Sequence, residues 1–231
     1  KVITIYLLVI NLCMDVCDIV NAYKLDSGNK MKNVVSEVKN IIEPTVKAEN
    51  LPLEEEKQQL KAKWVTTRSE LNELETKGIA EAEIWLLKNK KDILNESFIK
   101  TLHKKMFGDV WKWAGTFRTT ERNIGAAPYE IQPKLRILLD DVKFWITHKT
   151  YPEKEIAIRF HHRLVQIHPF PNGNGRISRI MADLLMRSFG LKNLDWGSGN
   201  LTEISELRKQ YIEALRDADK GDYTLLIKFV N

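Results

Sequence analysis

The sequence predicts an all-α protein carrying one small β-hairpin. From Trp64 to the C-terminus apolar residues recur at spacings of three and four, and only Thr116 to Tyr129 reads as strand and turn. The 231 residues hold one moderate domain plus an N-terminal extension. With 43% hydrophobic and 29% charged residues, the chain falls among ordinary soluble globular proteins and buries a core without staples.

Residues 1–24 form an apolar N-terminal segment. A lysine precedes a mostly apolar run to Met14, which Asp15 and Asp18 interrupt. That is too short for a membrane span and is similar to the hydrophobic region of a signal peptide. A non-native or fragment boundary and a buried helix are the alternative readings, since the chain begins without Met and Met31 offers a later start. Both cysteines, Cys13 and Cys17, lie here, so the body holds neither a disulfide framework nor a thiol nucleophile, and no second pair completes a zinc site. Residues 25–63 are expected as a polar linker with one weak helix, and residues 64–231 as the folded body.

Within that body, helices are expected over Thr67–Lys77 and Ala80–Asn89, separated near Gly78. The next runs from Glu96 to Phe107, with Phe98, Leu102 and Met106 on one face and Gly108 as a stop. A fourth follows Pro133, with Leu135, Leu138, Leu139, Val142, Trp145 and Ile146 as its stripe. Glu153–Ile167 turns Ile156, Phe160, Leu164 and Ile167 inward. A sixth carries Ile177, Ile180, Met181, Leu184 and Leu185 and ends at Gly190. Leu201–Ala218 and a short helix after Asp222 complete the set, and Gly125 provides the turn of the strand-like stretch. Trp111, Trp113 and Trp145 read as core aromatics. His103 and His148 are expected at the surface, and one of His161 and His162 is expected to be buried, neither as a metal ligand.

The chemistry lies in His168-Pro-Phe-Pro-Asn-Gly-Asn-Gly-Arg-Ile-Ser-Arg179, between two amphipathic helices. Gly173 and Gly175 let the main chain turn sharply and approach a ligand closely. The N–H groups of such a turn, followed by a helix N-terminus, make an anion site. Arg176 and Arg179 share a face of the first turn, where positive charge opposes the helix dipole and calls for an anion. His168 stands just before the loop as a side chain able to take a proton at neutral pH. A base, a phosphate-sized nest and two arginines point to phosphoryl or nucleotidyl transfer. The formal charge of +5 favours an anionic ligand. It is too small, and lacks the basic stripe, for nucleic-acid binding.

This stretch resembles the Fic family signature, His-x-Phe-x-Asp/Glu-Gly-Asn-Gly-Arg-x-x-Arg, at His168, Phe170, Gly173, Asn174, Gly175, Arg176 and Arg179, and among Fic proteins it is similar to the mobile mystery protein B type. Trp113-Ala-Gly-Thr-Phe-Arg118 is similar to the family's lead into a β-hairpin flap, which would be Thr119 to Tyr129. The resemblance implies a Fic-type helical bundle that moves AMP from ATP to a Ser, Thr or Tyr hydroxyl of a target protein. It implies His168 as general base, with N–H groups around Gly173 and Gly175 and the Asn174 side chain on phosphate oxygens. Arg176 and Arg179 would neutralise phosphate charge, Phe170 would anchor the loop, and the 119–129 flap would dock the target by strand addition. Transfer of UMP, phosphate or phosphocholine is the rival within enzymes. No nucleic acid and no membrane partner are implied, and homo-oligomerisation is left open. An ATP-supplied compartment, the cytoplasm, is the expected location unless residues 1–24 act as a signal.

Position 172 departs from the family, with Asn in place of its acidic metal ligand. An Asn carbonyl oxygen still coordinates Mg²⁺ or Mn²⁺, but without charge and therefore more weakly. A nucleotide-binding regulator or toxin–antitoxin component without turnover is the alternative reading of that change. Thr66-Thr-Arg-Ser-Glu70-Leu-Asn72 is similar to the family's inhibitory helix, whose Glu pairs with the second Arg, here Glu70 with Arg179. A shifted register uses Ser69 and Glu73 instead.

Overall fold

The computed structural model describes residues 58–87, 92–197 and 206–230. The apolar segment 1–24, both cysteines and residues 25–57 of the expected linker lie outside the described residues. The chain divides into two compact units.

The first unit takes in residues 58–87 and 105–112 of the described chain. Its helix α1 spans Arg68–Leu87. Thr67 and Glu70 form a capping box: Thr67 Oγ1 accepts from the Glu70 N–H at 3.2 Å, and Glu70 Oε2 accepts from the Thr66 and Thr67 N–H groups at 2.8 and 3.0 Å. These bonds hold the Glu70 carboxyl below the usual carboxylate range. Residues 58–63, from the end of the expected linker, belong to this unit: Leu60 is buried and bridges Trp111 in antiparallel sense. Trp111 donates its indole N–H to the buried Glu75 at 2.6 Å.

The expected break near Gly78 does not occur, and α1 runs through it. A Cβ at Gly78 would collide with the carbonyl oxygen of Met106, so this glycine serves close packing rather than helix termination. Gly78→Ala is therefore expected to destabilise the first unit by on the order of 1–3 kcal/mol, although alanine favours a helix by about 1 kcal/mol. A lower urea midpoint checks this, and a raised one would contradict it.

The second unit takes in residues 92–104, 113–197 and 206–230 of the described chain. Helix α2 spans Glu96–Phe107, its last turn counted with the first unit. Asn95 caps it by accepting from the Phe98 N–H at 2.8 Å. Helix α3 spans Ile131–His148, α4 Glu153–Ile167, α5 Asn174–Ser188, α6 Glu206–Asp219 and α7 Thr224–Phe229. Helix α4 is central, packed against α3, α5, α6 and α7, which is why most of its circumference is buried. Helix α5 ends in a Schellman motif at Gly190, with Leu191 N–H on the Met186 carbonyl and Gly190 N–H on that of Arg187.

The helical class stands as expected, but the hairpin does not form: among the described residues 119–129 hold no paired strand, only a loop leading into a 3₁₀ turn at Pro128–Glu130. Its main-chain groups are bonded elsewhere. The Arg118 guanidinium bridges the carbonyls of Thr120 and Ala126, which a ladder would otherwise use, and the Ala126 N–H donates to the Ile167 carbonyl at 3.2 Å. Among the described residues no helix is long and apolar enough to cross a membrane.

Candidate functional site

The site forms where α4 stops and α5 starts. His168 caps α4 in the left-handed region at φ +53°, a conformation disfavoured by roughly 1–2 kcal/mol for a residue with a Cβ. Two bonds hold it there: its N–H donates to the Leu164 carbonyl at 3.2 Å, and its own carbonyl accepts from Arg118 Nε at 2.7 Å. The buried Arg118 guanidinium also reaches the Ile167 carbonyl at 3.5 Å, so one side chain ties the 119–129 loop to the turn that carries His168. Gly125 lies against this turn with φ +102°, and an added Cβ would fall 2.5 Å from the His168 Cβ. Only glycine fits there.

His168 is half-buried, and its Nδ1 is shielded from solvent. Burial holds its pKa below the usual 6.5 and the positive Arg118 and Arg122 press the same way, against a rise from the Val165 carbonyl. The imidazole is therefore neutral at pH 7.

After His168 the chain passes the fully buried Phe170, whose ring stacks on His103 at 3.7 Å and 6°. Gly173 caps α5 at φ +78°. The first intrahelical bond is Ile177 N–H to Gly173 carbonyl at 3.0 Å, so the N–H groups of Asn174 and Gly175 have no acceptor within the helix. Asn174 has a role different from the one expected. Its side-chain oxygen accepts from the Phe170 N–H at 2.9 Å and its amide donates to the Phe170 carbonyl at 2.8 Å. Buried and engaged at both ends, the side chain frames the loop instead of facing a phosphate.

Arg179 Nη1 lies 3.4 Å from where a Gly175 Cβ would stand, which places the guanidinium beside the first turn of α5. Burial lowers its pKa, and the adjacent Arg176 charge adds to that. Two cations at a helix N-terminus suit an anion of more than one charge. Asn172 is exposed, and its Oδ1 accepts from the Gly173 N–H at 2.6 Å. That oxygen is neutral and already engaged, and among the described residues no group of three or more His, Cys, Asp or Glu could hold a metal ion. These residues do not amount to a protein-held metal site.

His103, expected at the surface, is fully buried. An N–H can only donate, so the 2.9 Å bond from Gly115 N makes Nδ1 an acceptor and puts the proton on Nε2, which donates to the Asn172 carbonyl at 3.1 Å. Its place was legible: Ile99, Leu102, His103 and Met106 follow one helical face. Arg118 carried a weaker signal, as the last residue of the Trp113–Arg118 segment. Glu70 lies in the first unit, and the other predicted site residues, His168, Asn172, Gly173, Asn174, Gly175, Arg176 and Arg179, share the second.

Burial brings His103 and also His161 down to about 3. An unfolded chain takes protons on both below about pH 6.5 while the native state does not, so stability is full above that value and lost as pH falls toward 3. The urea midpoint is expected to drop between pH 7 and pH 5, on the order of 1 kcal/mol per pH unit per histidine below 6.5. Equal midpoints would contradict neutral, buried imidazoles.

Residues 93–186 match the model of the Fic/DOC family. The chain is 30% identical over 150 residues to the protein adenylyltransferase Fic of Aedes aegypti, covering 62% of this chain and 28% of that protein. It is 27% identical to protein adenylyltransferase fic-1 of Caenorhabditis elegans, covering 63% and 28%. The chain thus spans under a third of the length of these relatives. The solved structure of C. elegans Fic-1 aligns with a TM-score of 0.56 at 25% identity, covering 68% of this chain and 47% of that one. The N-terminal Fic domain of a Bartonella quintana effector protein aligns at 0.59 with 19% identity, covering 73% and 84%, a likeness of fold alone.

Proposed function

We propose that this chain, whose residues 93–186 belong to the Fic/DOC family, is a protein adenylyltransferase that transfers AMP from ATP to a hydroxyl of a target protein. The observation that carries the proposal is the juxtaposition of a neutral, pinned His168 with the anion-suited first turn of α5 and Arg179. The adenylyltransferase names of the Aedes and Caenorhabditis relatives support it.

In this reading the phosphates of ATP lie on the Asn174 and Gly175 N–H groups, with Arg176 and Arg179 meeting their charge. The target hydroxyl oxygen bonds to the α-phosphorus as His168 takes its proton. The bond from that phosphorus to the bridging oxygen breaks, and pyrophosphate leaves with the electron pair. With Nδ1 shielded from solvent, Nε2 is the nitrogen that receives the proton. The target docks on the 119–129 loop, where Ile124 and Tyr129 are exposed at 61% and 82%. A divalent cation enters as part of the nucleotide substrate, with the neutral Asn172 oxygen as the donor this loop offers it. Glu70 is the inhibitory residue of this reading.

The test is incubation of the full chain with α-³²P-ATP and Mg²⁺ or Mn²⁺, as native protein, Glu70→Gly and His168→Ala, with label sought on the protein and on lysate targets. Label that rises with Glu70→Gly and vanishes with His168→Ala is expected. No label from any form, with ATP bound, would mark a nucleotide-binding regulator instead. Asn172→Asp is expected to lower the Mg²⁺ concentration for half-maximal transfer roughly tenfold, as a charged oxygen replaces a neutral one. An unchanged metal dependence would remove position 172 from the site.

A further inference from the structure

The main chain of the glycine loop is held from outside. The Arg118 N–H donates to the Pro169 carbonyl at 2.9 Å, and His103 Nε2 reaches the Asn172 carbonyl at 3.1 Å. Both partners of His103 demand the same tautomer. The Gly115 N–H can only donate, so Nδ1 accepts, and the Asn172 carbonyl can only accept, so the hydrogen sits on Nε2. Gly115 is seated against α2: at φ +81°, an added Cβ would fall 2.9 Å from the Lys100 carbonyl oxygen and the Lys104 Cβ. The imidazole itself is fully buried and stacked on Phe170 at 3.7 Å, so it cannot turn away. Burial brings its pKa down to about 3, and the bond to Asn172 persists above that value. Nothing in the proposed transfer uses His103.

Beyond that bond lies the Asn172–Gly173 peptide. A trans peptide is planar, with its C=O and N–H on opposite sides. Its carbonyl meets His103, so its N–H points the other way, where Oδ1 of the exposed Asn172 accepts it at 2.6 Å. Gly173, at φ +78°, tolerates either orientation of this peptide at little cost, so the plane has to be held from outside. We propose that His103 is a positioning residue that fixes the plane of the Asn172–Gly173 peptide, and with it the direction of the Gly173 N–H and the Asn172 side chain at the entry to α5. This rests on the adenylyltransferase reading for what the loop binds, but not for the geometry. In that reading the nucleotide and its cation meet a loop already set, which favours affinity.

Variants at position 103 separate the two bonds. His103→Gln keeps a donor near the place of Nε2 and loses the acceptor for Gly115, whereas His103→Asn keeps the acceptor and loses the donor. Both lose the ring, so both are expected to lower the melting temperature alike. The Asn-Gly steps of the chain are Asn172-Gly173 and Asn174-Gly175, so ¹³C-carbonyl Asn with ¹⁵N-Gly labelling isolates the amides of Gly173 and Gly175. The Gly173 amide is expected as one sharp signal in the native full chain and in His103→Gln, and as a broadened or split signal in His103→Asn. In calorimetry, binding of Mg²⁺–ATP is expected to weaken roughly tenfold in His103→Asn and less than about threefold in His103→Gln. In the native protein the imidazole ¹⁵N signals of His103 should show hydrogen on Nε2 alone at pH 7 and unchanged at pH 5. A hydrogen on Nδ1 would overturn the proposal, as would a Gly173 amide or an ATP affinity that both variants disturb equally. If the native chain binds no ATP, the adenylyltransferase reading fails, and the tautomer and the Gly173 amide still decide whether His103 holds the peptide.

Discussion

Replacing His168 by alanine is expected to lower AMP transfer by roughly a hundredfold to ten-thousandfold, the usual contribution of a positioned general base. ATP affinity and fold should survive. The bonds that hold position 168 are main-chain bonds, from its N–H to Leu164 and from Arg118 to its carbonyl, and alanine keeps both. The ring is only half-buried, so little packing is lost. The pH profile supplies a second check. Because burial and nearby positive charge hold the imidazole below 6.5, the base stays neutral through pH 7. The acid limb of the rate should therefore lie below 6.5, with activity lost as pH falls through that lowered value. A loss under tenfold, or an acid limb above 6.5, would remove His168 from the base role.

Changing Arg118 should have the next largest effect, and it separates geometry from charge. Its guanidinium donates to four carbonyls, those of Thr120, Ala126, Ile167 and His168. Alanine leaves several buried acceptors unpaired at about 1–3 kcal/mol each, so a loss on the order of 3 kcal/mol is expected, with the melting temperature down by roughly 6–12 °C. The 119–129 loop would detach from the turn that carries His168, and transfer should fall with it. Lysine retains the charge but lacks the planar fork that spans these acceptors. Both variants should therefore lose transfer, while only Arg118→Ala should raise the His168 pKa and move the acid limb up. If Arg118→Lys retains native rate and stability, the bridging role is wrong.

The helices were legible because each is encoded within itself. Glu96–Phe107 and Glu153–Ile167 have the bounds that periodicity and stop signals predict. The motif was legible because His168 to Arg179 is contiguous, so one turn and one helix start bring His168, the glycine loop and both arginines into one stretch. The misjudged residues are those whose partners lie far along the chain. Gly78 looks like a helix break until Met106 is seen against it. Residues 119–129 read as a strand-like flap with Gly125 at its turn, but the Thr120 and Ala126 carbonyls are taken by Arg118. The Asn174 side chain looks poised for a phosphate until both of its ends are found on Phe170.

By itself the sequence determined the all-helical class and the position of the His168–Arg179 loop between two helices, since helical periodicity and turn chemistry act over only a few residues. The tertiary structure alone decided which polar side chains turn inward to hold that loop. His103 reaches Asn172 across 69 residues, and Arg118 and His161 reach His168 and Tyr211 across 50. A buried polar group is tolerated only where a partner meets it, and which partner comes within reach is set by how the helices pack.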